Sequence, residues 1–164
     1  MVPAEMLDQI SYRLMEPADA ESVSCLILDV FTESIAGEYC DEGRAEFTRY
    51  AQPSALVERS RTNHFVLLAV VKSRVVAAIE IRDNAHVALM FVAARFQRCG
   101  IARELLKRSI SHARPAKPGL DRVTVNSSRF GVAIYEKLGF RQTGPERTIN
   151  GIVFIPMAHQ LLST

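Results

Sequence analysis

The sequence predicts an α/β fold of the α+β type, in which a mixed, mostly antiparallel central sheet of about seven strands is flanked by about four helices. Three β-branched runs follow one another between residues 64 and 93, separated by turn-sized breaks, and patterns of helical period lie on both sides of them. The chain has 164 residues, of which 48% are hydrophobic, enough for one sizeable core but short for two. We therefore expect a single domain over residues 1–164.

The N-terminal third predicts one strand followed by helices. The stretch "SYRLME", beginning at Ser11, alternates weakly and favours a short first strand. Pro17 then opens a helical pattern in which Val23, Ile27 and Val30 recur at helical spacing. The polar segment that follows, as far as about residue 60, indicates a loop and short helices.

The middle of the chain predicts an antiparallel meander. Strands near residues 64 to 71, 75 to 82 and 86 to 93 are separated by Lys-Ser-Arg and Asp-Asn-Ala, which are breaks of turn length. The third strand leads into a helix from Gly100 to about Ala113, whose end is marked by "RPAKPG".

The C-terminal part predicts strand, helix and two strands. "LDRVTVN" has the pattern of a buried strand, and "SSRFGVAIYEKLG" that of a helix with a serine cap and a glycine stop at Gly139. "FRQTG" and "IVFIPMAHQL" are strand candidates, separated by "PERTING", which we interpret as a turn.

Composition and spacing argue against several classes of function. A formal net charge of +2 is too small to suggest nucleic-acid binding. Cys25, Cys40 and Cys99 form no C-x-x-C pair, and the four histidines lack metal-ligand spacing, so neither a disulfide framework nor a metal site is expected. The sequence shows no signal-peptide pattern and no stretch long enough to span a membrane. We expect a cytoplasmic protein without nucleic-acid or membrane partners.

The junction at "QRCGIA" predicts an anion site. A strand that enters a helix through a glycine-bearing turn presents unpaired backbone N–H groups where the helix dipole also favours negative charge. Gly100 would allow a close backbone approach, and Ala102 would leave room. Arg98, Arg103 and Lys107 would add positive charge. The alternative is an ordinary helix start with a solvated basic rim. Neither a Walker sequence nor a G-x-G-x-x-G fingerprint is present.

Two stretches carry a resemblance to a known family. "VAARFQRCGIARELL" resembles the Q/R-x-x-G-x-G/A motif of the GCN5-related N-acetyltransferase (GNAT) superfamily, with matches at Gln97, Gly100 and Ala102. "VNSSRFGVAIYEKLGF" is similar to the segment whose helix carries the family's tyrosine, here Tyr135. Two motifs in the right order are more specific than either alone.

The resemblance implies the GNAT fold, with the sheet splayed at a cleft for acetyl-CoA as co-substrate. It implies that the pantetheine arm pairs with the backbone of the third meander strand and that the pyrophosphate lies on the amides of the glycine-bearing loop. It also implies that the strand and turn before the Tyr135 helix contact the cofactor. Ser128 stands where many members have asparagine. The implied cofactor residues are Phe91, Val92, Gln97, Arg98, Cys99, Gly100, Ile101, Ala102, Arg103, Asn126 and Ser128.

The implied reaction is acetyl transfer to a primary amine by direct attack through a tetrahedral intermediate. Tyr135 is the candidate acid for the leaving sulfur; the alternative is a tyrosine that packs a helix on a sheet. His86, six residues before Val92, is one candidate base, and Glu80 within "VVAAIEIR" is another. Either side chain could instead be structural, and either could act through water.

The acceptor is predicted only as a class: a small-molecule or peptide amine. The resemblance implies that the segment "TESIAGEYCDEGRAEF", which ends at Phe47, helps form the acceptor site. Its acidic residues would favour a cationic amine through the local field; the alternative is a solvated helix face. The rival function is a non-catalytic acyl-CoA-binding sensor or interaction module, and a homodimer stays open as the assembly. The acidic residues are Glu33, Glu38, Asp41, Glu42 and Glu46.

Overall fold

The computed structural model describes residues 1–162, which contain one eight-stranded sheet in the order β1-β2-β3-β4-β5-β8-β6, with β7 paired to β8. Every pairing is antiparallel except that of β4 with β5. The strands are β1 (Ser11–Leu14), β2 (His64–Val71), β3 (Arg74–Arg82), β4 (His86–Val92), β5 (Arg122–Ser127), β6 (Arg141–Gln142), β7 (Arg147–Ile149) and β8 (Ile152–Gln160).

Six α-helices lie within residues 1–162, and none of them is long and apolar enough to cross a membrane. Short 3₁₀ turns precede α2, α3 and α5. The helices are α1 (Ala4–Leu7), α2 (Ala20–Ser34), α3 (Asp41–Tyr50), α4 (Pro53–Ser60), α5 (Ile101–Ala113) and α6 (Val132–Lys137).

The meander β2–β3–β4 confirms the prediction from the β-branched runs. Lys72 and Ser73 in the first turn have φ of 47° and 67°, and Asp83 and Asn84 in the second have 52° and 57°. Positive φ at two consecutive residues is typical of hairpin turns whose twist matches that of the flanking strands. The polar breaks therefore close both hairpins, and the register shifts once within each, between Ala69 and Val70 and between Glu80 and Ile81.

The sheet splays between β4 and β5, as the family resemblance implied. These strands are joined through the α5 crossover, and within the described chain they pair only at His86 with Thr124 and at Val87 with Val125. Beyond these positions β4 continues to Val92 and β5 to Ser127 without pairing to each other. The separation leaves a gap in the sheet, and the edge of β4 that faces it has no strand partner.

Each face of the sheet is covered by its own apolar core. Leu105 of α5 packs on one face together with Phe140 and Met157, all three almost fully buried. Ile27 of α2 and Leu56 of α4 pack on the other face. The helices are therefore held to the sheet by burial of apolar surface, with the gap between β4 and β5 open to both layers.

The C-terminal elements differ in detail from the sequence prediction. α6 begins at Val132, later than predicted, and is preceded by a turn in which the carbonyl and Oγ of Ser128 accept the Gly131 N–H, at 3.1 and 3.0 Å. The segment interpreted as a turn contains β7, which forms a hairpin with β8 across Asn150 and Gly151, at φ of 52° and 78°. These changes, with α1 and the separate α3 and α4, account for the additional strand and helices.

Candidate active site

A cavity of about 740 Å³ lies where β4 and β5 separate. Its walls come from both layers of the fold: the second half of β4, the loop before α5 and the first turn of α5, the end of β5, α6, and the facing residues of α2 and α3. This volume is in the range of sites that enclose most of a small ligand.

The loop before α5 forms a cradle of unpaired backbone donors. Gly100 adopts φ of +83°, a left-handed conformation that glycine accepts without strain, and Arg98 has φ of +62°. Gln97 Nε2 donates to the Val92 carbonyl at 3.0 Å, which ties the loop to the end of β4. Within the described residues, none of the six amides from Arg98 to Arg103 donates a hydrogen bond to a protein atom.

The cradle is suited to a phosphate group. The amides lie at the N-terminus of a 13-residue helix, whose dipole adds to the attraction for an anion. Arg98 and Arg103 line the same end of the cavity, and Lys137 of α6 joins them. Arg103 Nη2 also donates to the Lys137 carbonyl at 2.9 Å, so α5 and α6 are held together beside the cavity.

Tyr135 borders the cavity from α6. Its side chain is only 7% exposed, and its ring meets Phe140 edge-on with ring centroids 5.2 Å apart. Burial raises the pKa of the phenol above its ordinary value, so the hydroxyl stays protonated throughout the neutral range. The site therefore holds a neutral O–H donor in an apolar setting.

The residues that the two motifs singled out converge on this cavity. All of the predicted cofactor residues except Cys99 line it. Cys99 instead directs its thiol to the Gln97 carbonyl, at 3.5 Å, and packs against the core under α5. Only its amide belongs to the cradle.

The family model for the acetyltransferase (GNAT) domain matches residues 35–161, the part of the chain that includes the cradle, Tyr135 and the splayed strands. This chain belongs to the GNAT acetyltransferase family. A sequence search of curated proteins found no match.

Solved structures with the same fold include several GNAT proteins. The PaiA N-acetyltransferase from Thermoplasma acidophilum, crystallised with coenzyme A, has a TM-score of 0.77 at 18% identity, over 93% of this chain and 99% of its own. A GCN5-related N-acetyltransferase from Rhodopseudomonas palustris has a TM-score of 0.76 at 17% identity, over 98% and 99%. YjaB from Escherichia coli, in its apo form, has a TM-score of 0.69 at 20% identity, over 92% of this chain and 97% of its own. At these identities the similarity shows the fold.

Glu80 does not lie on the cavity of this GNAT chain, which corrects its placement as a candidate base. The carboxylate is 1% exposed and accepts hydrogen bonds from Arg59 Nε at 2.9 Å and Arg59 Nη2 at 3.1 Å. His64 Nδ1 lies 3.2 Å from it, and the Arg59 guanidinium stacks on Tyr50. A carboxylate held in this way is part of a buried ion pair, and it does not line the cavity.

His86 also lies away from the cavity lining, at the start of β4 where the strands are still paired. Its Nδ1 is 2.7 Å from Thr124 Oγ1. Burial, reinforced by the charge of Arg82, lowers the pKa of the imidazole to about 4, so His86 is neutral at pH 7 and a weak base. Its position and pKa do not fit the predicted role of general base.

The acidic segment before Phe47 does not contribute a carboxylate to the cavity lining. Asp41 pairs with Arg44 at 2.7 Å, and Glu46 pairs with Arg49. Glu38 accepts the backbone N–H groups of Arg129 and Phe130, at 2.9 and 3.0 Å, at the turn before α6.

Sequence reasoning placed the segment before Phe47 at the acceptor site but named only its acidic residues, and it missed the apolar wall and one basic residue. Lys107, which was expected to add charge at the cradle, does not line the cavity. The wall comes from α2 and from α3 with the turn before it, and the basic residue is Lys137. Helical spacing had marked Val30 only as a core position, and no local signal distinguishes a core residue from one that borders a cavity. The missed wall residues are Val30, Ile35, Tyr39 and Phe47.

Proposed function

We propose that this GNAT chain binds acetyl-CoA in the cavity between β4 and β5 and transfers its acetyl group to a primary amine. The observation that carries the proposal is the meeting of six unpaired amides, Arg98 to Arg103, and the protonated Tyr135 in one cavity. The structural neighbour from Thermoplasma acidophilum was crystallised with coenzyme A, which supports the choice of ligand.

The residues present fit this co-substrate. The amides of the cradle would hold the pyrophosphate, with Arg98 and Arg103 adding charge. Phe91 and Val92 pair with β3 on one side, but the edge of β4 toward β5 has no strand partner there. The backbone groups that point to this open edge are available to pair with the amides of a pantetheine arm. Asn126 and Ser128 would face the same arm from the opposite wall.

The chemistry requires a neutral amine and a proton for the departing sulfur. Acetyl-CoA supplies a thioester: the amine nitrogen forms the new C–N bond, the C–S bond breaks, and the sulfur gains a proton. Tyr135 would donate its O–H to the sulfur as the C–S bond breaks. Because burial raises the pKa of the phenol, a free tyrosinate is costly, and we expect the proton to move together with bond cleavage. The nitrogen loses its proton to solvent, and a proton from solvent restores the Tyr135 phenol.

The amine is proposed to lose its first proton without a dedicated side chain. Within residues 1–162, no aspartate, glutamate or histidine lines the cavity. Burial of an ammonium group among apolar side chains lowers its pKa, so the neutral amine is favoured on entry, with water as the proton acceptor. We place the activity in the cytoplasm, because Cys25, Cys40 and Cys99 are free thiols in the described chain.

Calorimetric titration with acetyl-CoA, combined with a thiol-release assay across primary amines, tests the proposal. Gly100→Glu should weaken acetyl-CoA at least tenfold, about 1.4 kcal/mol, by placing a carboxylate in the cradle. Gly119→Glu is the matched control, because Gly119 has φ of +84° and equally open surroundings but lies outside the cavity.

Equal loss of affinity in both variants, or no binding by the wild type, would refute the phosphate cradle. Tight binding without thiol release for any amine would instead identify the non-catalytic acyl-CoA-binding module.

A further inference from the structure

The part of the cavity that is bounded by α2, α3 and β4, away from the cradle, has apolar walls. Val30 and Ile35 come from α2 and its C-cap, Phe47 from α3, and Leu89 and Phe91 from β4. These residues belong to the core on the α2 side of the sheet, whereas the cradle belongs to the α5 side. This part of the cavity, which we call the acceptor end, is therefore a gap in the apolar core on the α2 side of the sheet.

Aromatic packing holds this wall in place. The Phe47 ring stacks on Phe31, with centroids 4.0 Å apart and an interplanar angle of 16°, and lies tilted against Phe91 at 5.9 Å. Phe31 is also in tilted contact with Tyr39, at 5.5 Å. A wall built from interlocked rings offers a flat apolar surface to a ligand.

The lining of the cavity offers no carboxylate to a substrate with a second positive group. Tyr39 is neutral, because burial, with a smaller effect of Glu38, raises its pKa to about 12. Among the lining residues of the described chain, the ionised groups are all cationic: Arg98, Arg103 and Lys137. A second ammonium group would enter without a carboxylate partner, and an unpaired buried charge is costly.

The carboxylates of Glu38 and Glu146, near the turn before α6, already accept hydrogen bonds from other groups. Glu38 is bound to the N–H groups of Arg129 and Phe130, and Arg129 itself holds Glu146 through two hydrogen bonds, at 2.6 and 2.8 Å. These contacts tie the turn before α3 to the turn before α6, across the cavity. Turning Glu38 inward to meet a cation would break both of its backbone hydrogen bonds.

We infer that the acceptor is a primary amine whose carbon chain carries an aryl or branched alkyl group, and that polyamines and lysine side chains are poor substrates. This inference rests on the proposed function and narrows its substrate class. The apolar group would lie against Phe47, Val30 and Leu89, with the amine directed to the gap between β4 and β5. Apolar surroundings would also favour the neutral, nucleophilic form of the amine.

The test compares 2-phenylethylamine with 1,4-diaminobutane and with a short lysine peptide blocked at both ends, at saturating acetyl-CoA. We expect kcat/KM to be at least tenfold higher for 2-phenylethylamine, about the factor that burial of one phenyl ring supplies. Phe47→Ala should remove most of this preference and leave the affinity for acetyl-CoA unchanged. Phe65→Ala is the matched control, because Phe65 is partly buried on the other face of the sheet and does not line the cavity.

The outcomes separate this inference from the proposed function. Equal or better turnover of diaminobutane or of the lysine peptide would overturn the inference and leave the acetyltransferase proposal standing. If no amine is turned over, calorimetric titration of 2-phenylethylamine into the protein saturated with coenzyme A tests the apolar pocket directly. Binding that Phe47→Ala weakens would support the apolar pocket; absence of binding would refute it. The affinity for acetyl-CoA, measured separately, tests the proposed function.

Discussion

Tyr135 and Glu80 are both almost fully buried, but only the tyrosine borders the cavity. A neutral phenol can remain in an apolar site and still offer a proton, whereas a buried carboxylate needs a positive partner. Arg59 provides that partner through two hydrogen bonds. Burial alone therefore does not identify a catalytic group; the identity of the neighbours does.

Tyr135→Phe should lower kcat by roughly 10²-fold or more, because it removes the proton donor and retains the ring that packs on Phe140. The affinity for acetyl-CoA and the melting temperature should change little. Steady-state kinetics with calorimetry provide the measurement.

The pH dependence adds a second check on Tyr135. The proposed role requires the protonated form of Tyr135, and burial raises the pKa of its phenol, so ionisation of Tyr135 should not reduce kcat below about pH 10. Full kcat in Tyr135→Phe, with chemistry limiting the rate, would show that another group protonates the sulfur.

Arg59→Met should reduce the free energy of unfolding by about 3 to 5 kcal/mol, because it leaves the buried Glu80 carboxylate without its partner. Adding Glu80→Gln should recover a large part of that loss, and urea unfolding of the four proteins of this cycle measures the coupling. The single variant Glu80→Gln should keep its kcat. A large fall in kcat for a stably folded Glu80→Gln protein would show that Glu80 takes part in the reaction.

At the level of elements, α3 is positioned by a backbone contact with the β7–β8 hairpin. A Cβ atom added to Gly43 would lie 2.0 Å from the Gly151 carbonyl oxygen, so glycine is required for the two segments to approach. Since α3 carries Phe47, this contact also sets the position of one wall of the cavity.

Gly43→Ala should destabilise the protein by about 1 to 3 kcal/mol, the usual cost of overpacking, since neither backbone can yield without moving its element. Displacement of α3 should also raise KM for the amine more than it weakens acetyl-CoA. Gly37→Ala is the control: its added Cβ meets no atom within 4 Å. Thermal unfolding and acceptor kinetics provide the readouts. Equal melting temperatures of the two variants would mean that the β7–β8 hairpin moves away from α3 at no cost in stability.

At the scale of the whole molecule, the gap between β4 and β5 is the place where a bound ligand can add contacts between the two parts of the sheet. The two strands pair at only two positions in the described chain, and the cavity that separates them is lined from both layers of the fold. A ligand that contacts both strands and both helices α5 and α6 would join the parts of the sheet that are not hydrogen-bonded to each other.

Acetyl-CoA at 100 times its dissociation constant should stabilise the protein by about 2.7 kcal/mol, which for a chain of this length raises the melting temperature by about 5 to 10 °C. Differential scanning calorimetry at increasing acetyl-CoA measures the shift. Gly100→Glu should need at least ten times more ligand for the same shift. A melting temperature that does not respond to acetyl-CoA would contradict binding in the gap.

The features that the sequence determined by itself are local in origin. The β-branched runs and the turn residues at Lys72 and Asp83 predicted the meander, and the glycine at the start of α5 predicted the cradle. A left-handed residue, a helix start and a hairpin turn each depend on a few consecutive residues, so the chain carries these signals directly. Asn150–Gly151 is such a signal as well, but the sequence prediction included it in one longer turn, and the hairpin of β7 with β8 was missed.

Only the tertiary structure decided which side chains share a site. Glu80 meets Arg59 across 21 residues, His86 meets Thr124 across 38, and the Glu38 carboxylate meets the Arg129 amide across 91. Such pairings depend on how helices and strands pack, which periodicity does not specify. The same packing turned Phe47 from an ordinary helical apolar residue into a wall of the cavity, because whether an apolar side chain borders a core or a ligand site depends on the space that its distant neighbours leave open.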